Sequence, residues 1–162
     1  MKVGVILNKR LMVSMIIIAI LLIYVCYSNI SYVTGKPPKL KIFVGDQMYN
    51  TKLGTYCWKG LMSHKCVDTA GAIALLVGEK PIIVQPNEKI EIRVKSNLKP
   101  DEYSLTVLSE GTEKSVNIKK NLFSAPKEKG IYYYAFSAWW MDENRQNISN
   151  GDAYYAFVLK VE

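Results

Sequence analysis

The chain has 162 residues, a formal net charge of +7 and 49% hydrophobic residues. The excess positive charge is concentrated in and beside an N-terminal hydrophobic segment, at Lys2, Lys9, Arg10, Lys36, Lys39 and Lys41. The rest is close to neutral, and lysines alternate there with acids instead of forming the basic stripe of a nucleic-acid-binding protein. We therefore expect no nucleic-acid partner, and a single domain in the part that follows the hydrophobic segment.

An uncharged apolar run occupies residues 11–27. Its length is near the lower limit of the roughly 17 to 25 residues that cross a bilayer, so it predicts a transmembrane anchor in contact with membrane lipid. Lys9 and Arg10 precede the run, and the positive-inside rule then places residues 1–10 in the cytoplasm and the rest of the chain outside. The expected location is the cell membrane, with a single pass.

A cleaved signal peptide is the alternative interpretation of the same run. The nearest pair of small residues is Val33 and Gly35, so cleavage near Gly35 would release a secreted domain. Cys26 lies inside the run, but no small residue precedes it as bacterial lipoprotein processing requires. We expect a retained helix, followed by a short extended stalk over 28–38 because Pro37 and Pro38 favour a polyproline-like spacer.

Residues 39–162 show the pattern of a β-rich domain. Ile90, Ile92 and Val94 alternate with charged residues, which is the two-residue period of a strand with one buried face. The candidate strands are 40–44, 53–58, 81–84, 89–95, 103–108, 114–118, 131–140 and 153–161. A short helix is predicted over 70–76, capped by Asp68 or Thr69.

This spacing of strands predicts a mainly β fold, an immunoglobulin-like antiparallel β-sandwich with one short helix as an insert. Tyr132 follows Gly130 at the start of a long strand. A tyrosine at this place in immunoglobulin-like domains bonds back to the preceding corner. Cys57 and Cys66 lie beyond the membrane and predict a disulfide, whereas zinc held by these cysteines with His64, with or without Asp68, is the alternative.

The last two predicted strands are apolar on both faces. The set in phase with Tyr132 predicts the core, at Tyr134, Phe136, Ala138, Trp140, Tyr155, Phe157, Leu159 and Val161. The opposite face carries Tyr133, Trp139 and Tyr154, which form a candidate aromatic patch for a peptide, a glycan or a protein partner. The alternative is that the short helix or the N-terminal strands cover this face.

The loop after Met141 is long for a hairpin and rich in oxygen atoms. Asp142 and Asn144 are further binding candidates, as part of a polar recognition loop. Calcium held by these two residues with Gln146 and Asp152 is an alternative, but no glutamate falls where an EF-hand needs it. We predict no metal and no cofactor. The one histidine, His64, lies near no nucleophile motif, so we predict no catalytic site and no enzyme.

Several short motifs together resemble one group of proteins. They are GTYCW at 54–58, CVD at 66–68, GIYYY at 130–134, WWMD at 139–142 and GDAYYAF at 151–157. In this pattern the chain is similar to a family of small membrane-anchored or secreted proteins of Gram-positive bacilli, for which no activity is established. The resemblance implies a bacterial cell-surface setting and supports pairing of Cys57 with Cys66.

These features predict a membrane-tethered extracytoplasmic binding or sensory domain. The alternative is a structural subunit of an envelope or membrane protein complex, in which the apolar helix is itself an interface.

Overall fold

The computed structural model describes residues 9–62, 64–95, 98–109, 111–142 and 148–162. An apolar helix, α1 (Lys9–Ser28), begins this part of the chain. Its segment Leu11–Ser28 is long and apolar enough to cross a membrane, and none of it is buried against the rest of the chain. The segment therefore presents an apolar surface that water solvates unfavourably.

The linker after α1 is more compact than its prolines alone predict. A second helix, α2 (Ile30–Thr34), follows α1 almost directly. Gly35, Pro37 and Pro38 are then buried. The hydroxyl of Tyr155 donates a hydrogen bond to the Pro38 carbonyl, and proline has no N–H that burial would leave unpaired. The linker 28–38 is therefore helical at first and then packed onto the domain, and it is not an extended stalk.

Strands make up most of the rest of the described chain. They are β1 (Lys39–Val44), β2 (Gln47–Asn50), β3 (Lys52–Lys59), β4 (His64–Val67), β5 (Ile82–Val84), β6 (Lys89–Lys95), β7 (Glu102–Ser109), β8 (Thr112–Ser115), β9 (Leu122–Ser124), β10 (Gly130–Met141) and β11 (Ser149–Val161). One short helix, α3 (Ala72–Leu75), interrupts them.

The strands form two sheets. The smaller has the order β2-β1-β6-β9, and the larger has the order β4-β3-β11-β10-β7-β8. All these pairs are antiparallel, and β5 joins the larger sheet in parallel beside the last residues of β11. The prediction of a mainly β fold with antiparallel sheets and one N-terminal apolar helix is confirmed.

The main core lies between the two sheets. Ile42, Ile90 and Phe123 of the smaller sheet are buried against aromatic rings of the larger one. The ring of Phe123 lies 5.3 Å from that of Tyr134 and 6.2 Å from that of Phe157, measured between centroids. Tyr134, Phe136, Ala138 and Trp140 are all buried, as are Tyr155, Phe157, Leu159 and Val161. The predicted core face of the last hairpin is thus confirmed.

A second, smaller core lies on the outer face of β10 and β11. Ala72 and Leu76, at the two ends of α3, pack there on Ala135, Ala156 and Val158. These small strand residues leave room for a helix to approach closely. The alternative that the short helix covers this face is therefore right for the middle of the two strands.

Two details of the sequence prediction are wrong, and three short strands were not predicted. The N-cap of α3 is Gly71, which makes no side-chain cap, because Asp68 and Thr69 bond to other groups. The predicted strand 114–118 lies over Thr112–Ser115 instead. The short strands β2, β4 and β9 carry too few alternating apolar residues to be recognised, and only pairing with a neighbour forms them.

Candidate functional site

The outer face of the larger sheet is left open near Trp139. A groove of about 330 Å³ begins there, between β10, β11, β3 and the segment before α3. Its lining combines one indole, one phenol, several hydroxyls and one carboxylate, from Trp139, Tyr154, Thr55, Thr69, Ser137 and Asp152. We call this the Trp139 groove.

Strand register sets the order of side chains in the groove. Trp139 lies opposite Asp152 of β11 on one side and opposite Glu102 of β7 on the other. Two residues before Trp139 in β10, Ser137 lies opposite Tyr154 of β11. Residues paired in this way have side chains on the same face of the sheet. The indole of Trp139, 37% exposed, therefore has a carboxylate on each side.

A second hollow lies beside Trp139. It has a volume of about 200 Å³ and is lined by Glu102, Met141 and Ser149 as well as by Trp139. The indole thus separates two shallow depressions. A ligand longer than one ring could contact both depressions and lie across the indole between them.

Tyr154 forms the inner wall of the Trp139 groove because Gly54 makes room for it. A Cβ atom at Gly54 would lie 2.6 Å from Cδ1 of the Tyr154 ring. Burial raises the pKa of the Tyr154 hydroxyl, a hydrogen bond with the Ala72 backbone opposes that shift, and the charge of Glu113 adds to it. Tyr154 is therefore a neutral phenol at physiological pH, wedged between β3 and α3.

The rim of the groove is fixed by a small hydrogen-bond network. The Thr55 hydroxyl donates to Asp68 Oδ1 at 3.0 Å. The Thr69 amide donates to the same carboxylate oxygen at 3.0 Å and to Thr55 Oγ1 at 3.1 Å. Asp68 therefore joins the chain before α3 to β3. This holds two hydroxyl-bearing side chains at the edge of the groove.

The predicted disulfide supports the same region. Cys57 of β3 and Cys66 of β4 are bonded, with Cα atoms 4.1 Å apart, and this prediction is confirmed. Cys57 also lies opposite Asp152 in the register of the sheet. Because each cysteine sulfur is bonded to the other, neither is a thiolate available to zinc. Among the described residues no group of three or more His, Cys, Asp or Glu side chains is placed to hold a metal ion.

The three rings of the predicted patch do not form one surface. Trp139 and Tyr154 line the groove together. Tyr133 is half-buried against the α3 side of the outer face, near Leu108. It lies six residues from Trp139 along β10, which is about 20 Å in an extended strand. The residues beneath α3 lie between them.

The other two candidates lie in the loop after β10. The Asp142 amide donates to the Ile148 carbonyl at 2.7 Å and so closes the base of the loop. Asn144, and Gln146 of the calcium alternative, lie outside the described residues. Asp152 faces the Trp139 groove.

Several residues of the groove were not predicted from the sequence. Ser137 could have been assigned to it, because it has the same phase as Trp139 in β10. Thr55, Thr69 and Gly54 could not, because only the pairing of β3 with β11 and the position of α3 bring them there.

Comparisons of the chain with models of protein families, with characterised proteins and with solved structures found no match. The resemblance to anchored proteins of Gram-positive bacilli stays a prediction.

Proposed function

We propose that the chain is a membrane-tethered extracytoplasmic binding domain whose ligand site is the Trp139 groove. The observation that carries this proposal is an exposed indole between two carboxylates, on a face whose middle is covered by α3. A large aromatic ring that is half-accessible in a groove offers much apolar contact area for little loss of side-chain entropy. We propose no catalytic step.

A contact of the linker supports retention of α1 over cleavage near Gly35. The Leu61 amide donates a hydrogen bond to the Tyr32 carbonyl at 2.9 Å, and cleavage after Gly35 would remove this partner from the domain. With α1 in the bilayer, Lys9 and Arg10 at its first turn favour a cytoplasmic N-terminus.

We infer an immunoglobulin-like topology for the region from β6 to β11. Its support is the pairing of β6 with β9 in one sheet and of β7, β10 and β11 in the other. The Tyr132 hydroxyl also donates to the Glu128 carbonyl at 2.9 Å, which is the bond of a tyrosine corner. A solved structure of the domain would test this assignment.

A glycan fits the groove better than a peptide. The groove lies over β10, β11 and β3, which are interior strands of the larger sheet, so an extended peptide finds no free backbone edge to pair with. The lining instead offers a flat ring for the apolar face of a sugar. It also offers hydroxyls and a carboxylate, from Thr55, Ser137 and Asp152 among others, for hydrogen bonds with sugar hydroxyls.

The test uses the full chain with two probes, an N-acetylglucosamine tetramer and peptidoglycan fragments released by muramidase. We expect at least one probe to bind and Trp139→Ala to abolish that binding. The control is Ile131→Ala, since Ile131 is also exposed, at 49%, near the other end of β10. Absence of binding by both probes, or equal affinity of Trp139→Ala and the wild type, contradicts the glycan site.

The structural-subunit alternative depends on α1. Cys26 is an exposed free thiol on that helix, and the whole segment Leu11–Ser28 is available to other helices. A specific crosslink formed through Cys26 in native membranes would favour a complex subunit. Crosslinks at the level of random collision would favour an independent tethered domain.

A further inference from the structure

The loop between β3 and β4 contacts the linker that joins the domain to α1. The Leu61 amide donates a hydrogen bond to the Tyr32 carbonyl of α2 at 2.9 Å. Gly60 approaches the linker so closely that a Cβ atom there would lie 2.9 Å from the Gly35 Cα. The loop is thus held beside the short segment that follows the apolar helix.

The position of Tyr32 sets the distance of this loop from the bilayer. Tyr32 lies four residues beyond Ser28, the end of α1, in the separate helix α2, and four residues of a continuous helix rise about 6 Å. A bilayer about 40 to 45 Å thick with a hydrocarbon core of about 30 Å leaves a headgroup layer of about 5 to 8 Å on each side. With α1 spanning the core, Leu61 therefore lies at the level of the lipid headgroups.

The side chains of the loop suit that level. Leu61 is 58% exposed and Met62 is 94% exposed, and both are apolar. Lys59 and Lys65, which flank them, are exposed as well. An apolar pair with basic neighbours is the pattern of a segment that inserts into the interface of an anionic membrane.

The charge along the sequence of the loop and of the linker is of one sign. No Asp or Glu occurs between residues 52 and 67, nor between residues 28 and 45. The linker contributes two further exposed lysines, Lys36 and Lys39. Anionic lipid headgroups attract a positively charged surface that lies close to the bilayer, within the range of their electrostatic potential.

We propose that Leu61 and Met62 insert into the headgroup region of the bilayer that holds α1, as a second membrane contact of the domain. This inference rests on the proposed retention of α1. Two contacts restrict rotation of the domain about α1, so the loop would fix the orientation of the domain on the membrane. The Trp139 groove would then face one direction relative to the membrane surface.

The experiment uses the full chain in vesicles of phosphatidylcholine and phosphatidylglycerol. Cys26→Ser removes the free thiol, and Met62→Cys introduces one for the fluorophore NBD. The matched control is Met48→Cys, since Met48 is an exposed methionine, at 53%, on β2. It pairs with Phe43, four residues and about 13 Å along β1 from its start at Lys39.

We expect blue-shifted NBD emission at position 62, with quenching by lipids that carry a spin label near the headgroup. At position 48 we expect emission as in water and quenching by iodide. Equal iodide quenching at both positions, without lipid quenching, would overturn the inference. A blue shift at position 62 that disappears when the protein-to-lipid ratio is lowered would also overturn it, because a second copy would then cover the loop.

Flotation of the same vesicles after a carbonate wash separates this inference from the one on which it rests. Protein that floats with the vesicles while position 62 stays in water refutes only the loop contact. Protein that the wash removes refutes retention of α1, and the loop contact with it.

Discussion

The two faces of the β10–β11 hairpin have similar composition but different environments. On the inner face, Tyr134 and Phe157 stack at 5.0 Å between centroids and are closed in by the smaller sheet. On the outer face, α3 covers only the middle, and Trp139 stays accessible. An aromatic strand therefore does not reveal by itself which ring stabilises the fold and which ring is available to a ligand. The neighbouring elements decide that.

The largest expected effect comes from removing a ring of the inner face. Phe157→Ala should lower the free energy of unfolding by about 3 to 5 kcal/mol, because the removed ring leaves a cavity between the sheets. Trp139→Ala should change it by less than about 1 kcal/mol, since the indole is partly in solvent. Urea denaturation of the full chain in detergent measures both. Similar losses for the two variants would refute the contrast between the faces.

The disulfide beside the groove should have the next largest effect. Replacing Cys57 and Cys66 together by Ser should lower the free energy of unfolding by about 2.5 kcal/mol, the loop-entropy value for a ring of this size. The bond joins two neighbouring strands at one end of the larger sheet. We therefore expect no change in the contact of Phe123 with Tyr134, and near-UV circular dichroism checks this. An unaltered unfolding midpoint in the double variant would contradict the prediction.

Gly54→Ala tests the inner wall of the Trp139 groove. The new methyl group would meet the Tyr154 ring, so we expect a loss of about 1 to 3 kcal/mol and a displaced tyrosine. The control is Gly71→Ala, because nothing lies within 4 Å of a Cβ there and its φ is −63°. Equal stability of the two variants in urea denaturation would show that Gly54 does not set the position of Tyr154.

Alkaline pH should lower the free energy of unfolding through the buried tyrosines of the inner face. At neutral pH these tyrosines should have no such effect. Burial raises the pKa of Tyr134 and of Tyr155 above the ordinary value of about 10. The folded chain then keeps protons that the unfolded chain releases. Stability is therefore complete below about pH 10 and decreases as pH rises further. Denaturation curves from pH 8 upwards check this, and Tyr134→Phe should flatten the decrease. A decrease of the same steepness in Tyr134→Phe would exclude this tyrosine as a cause.

Local patterns predicted the inner face well. Alternation placed Ile90 and Ile92 in the core, and the phase of Tyr132 placed Tyr134 and Phe136 there. Alternation reports only which residues share a face, and it carries no information about what covers that face. The position of α3, and with it the separation of Tyr133 from Trp139, depends on contacts between segments distant in sequence.

For the same reason, the packing of the linker and the contacts at the groove rim could not be predicted from local sequence patterns. Pro37 and Pro38 fix local backbone angles whether they lie in solvent or against Tyr155, so they do not distinguish a stalk from a packed segment. Thr55 and Thr69 are 14 residues apart, and Asp68 brings them together only after β3 and β4 have paired.

Acrylamide quenching of tryptophan fluorescence, on the full chain in vesicles, tests most directly whether the outer face is an open ligand site. Trp139 is 37% exposed, whereas Trp58 and Trp140 are each 5% exposed. We predict one readily quenched tryptophan, its loss in Trp139→Phe, and its protection by a saturating amount of the glycan probe that binds. Quenching that is unchanged by Trp139→Phe, or by both glycan probes at the highest attainable concentration, would contradict it.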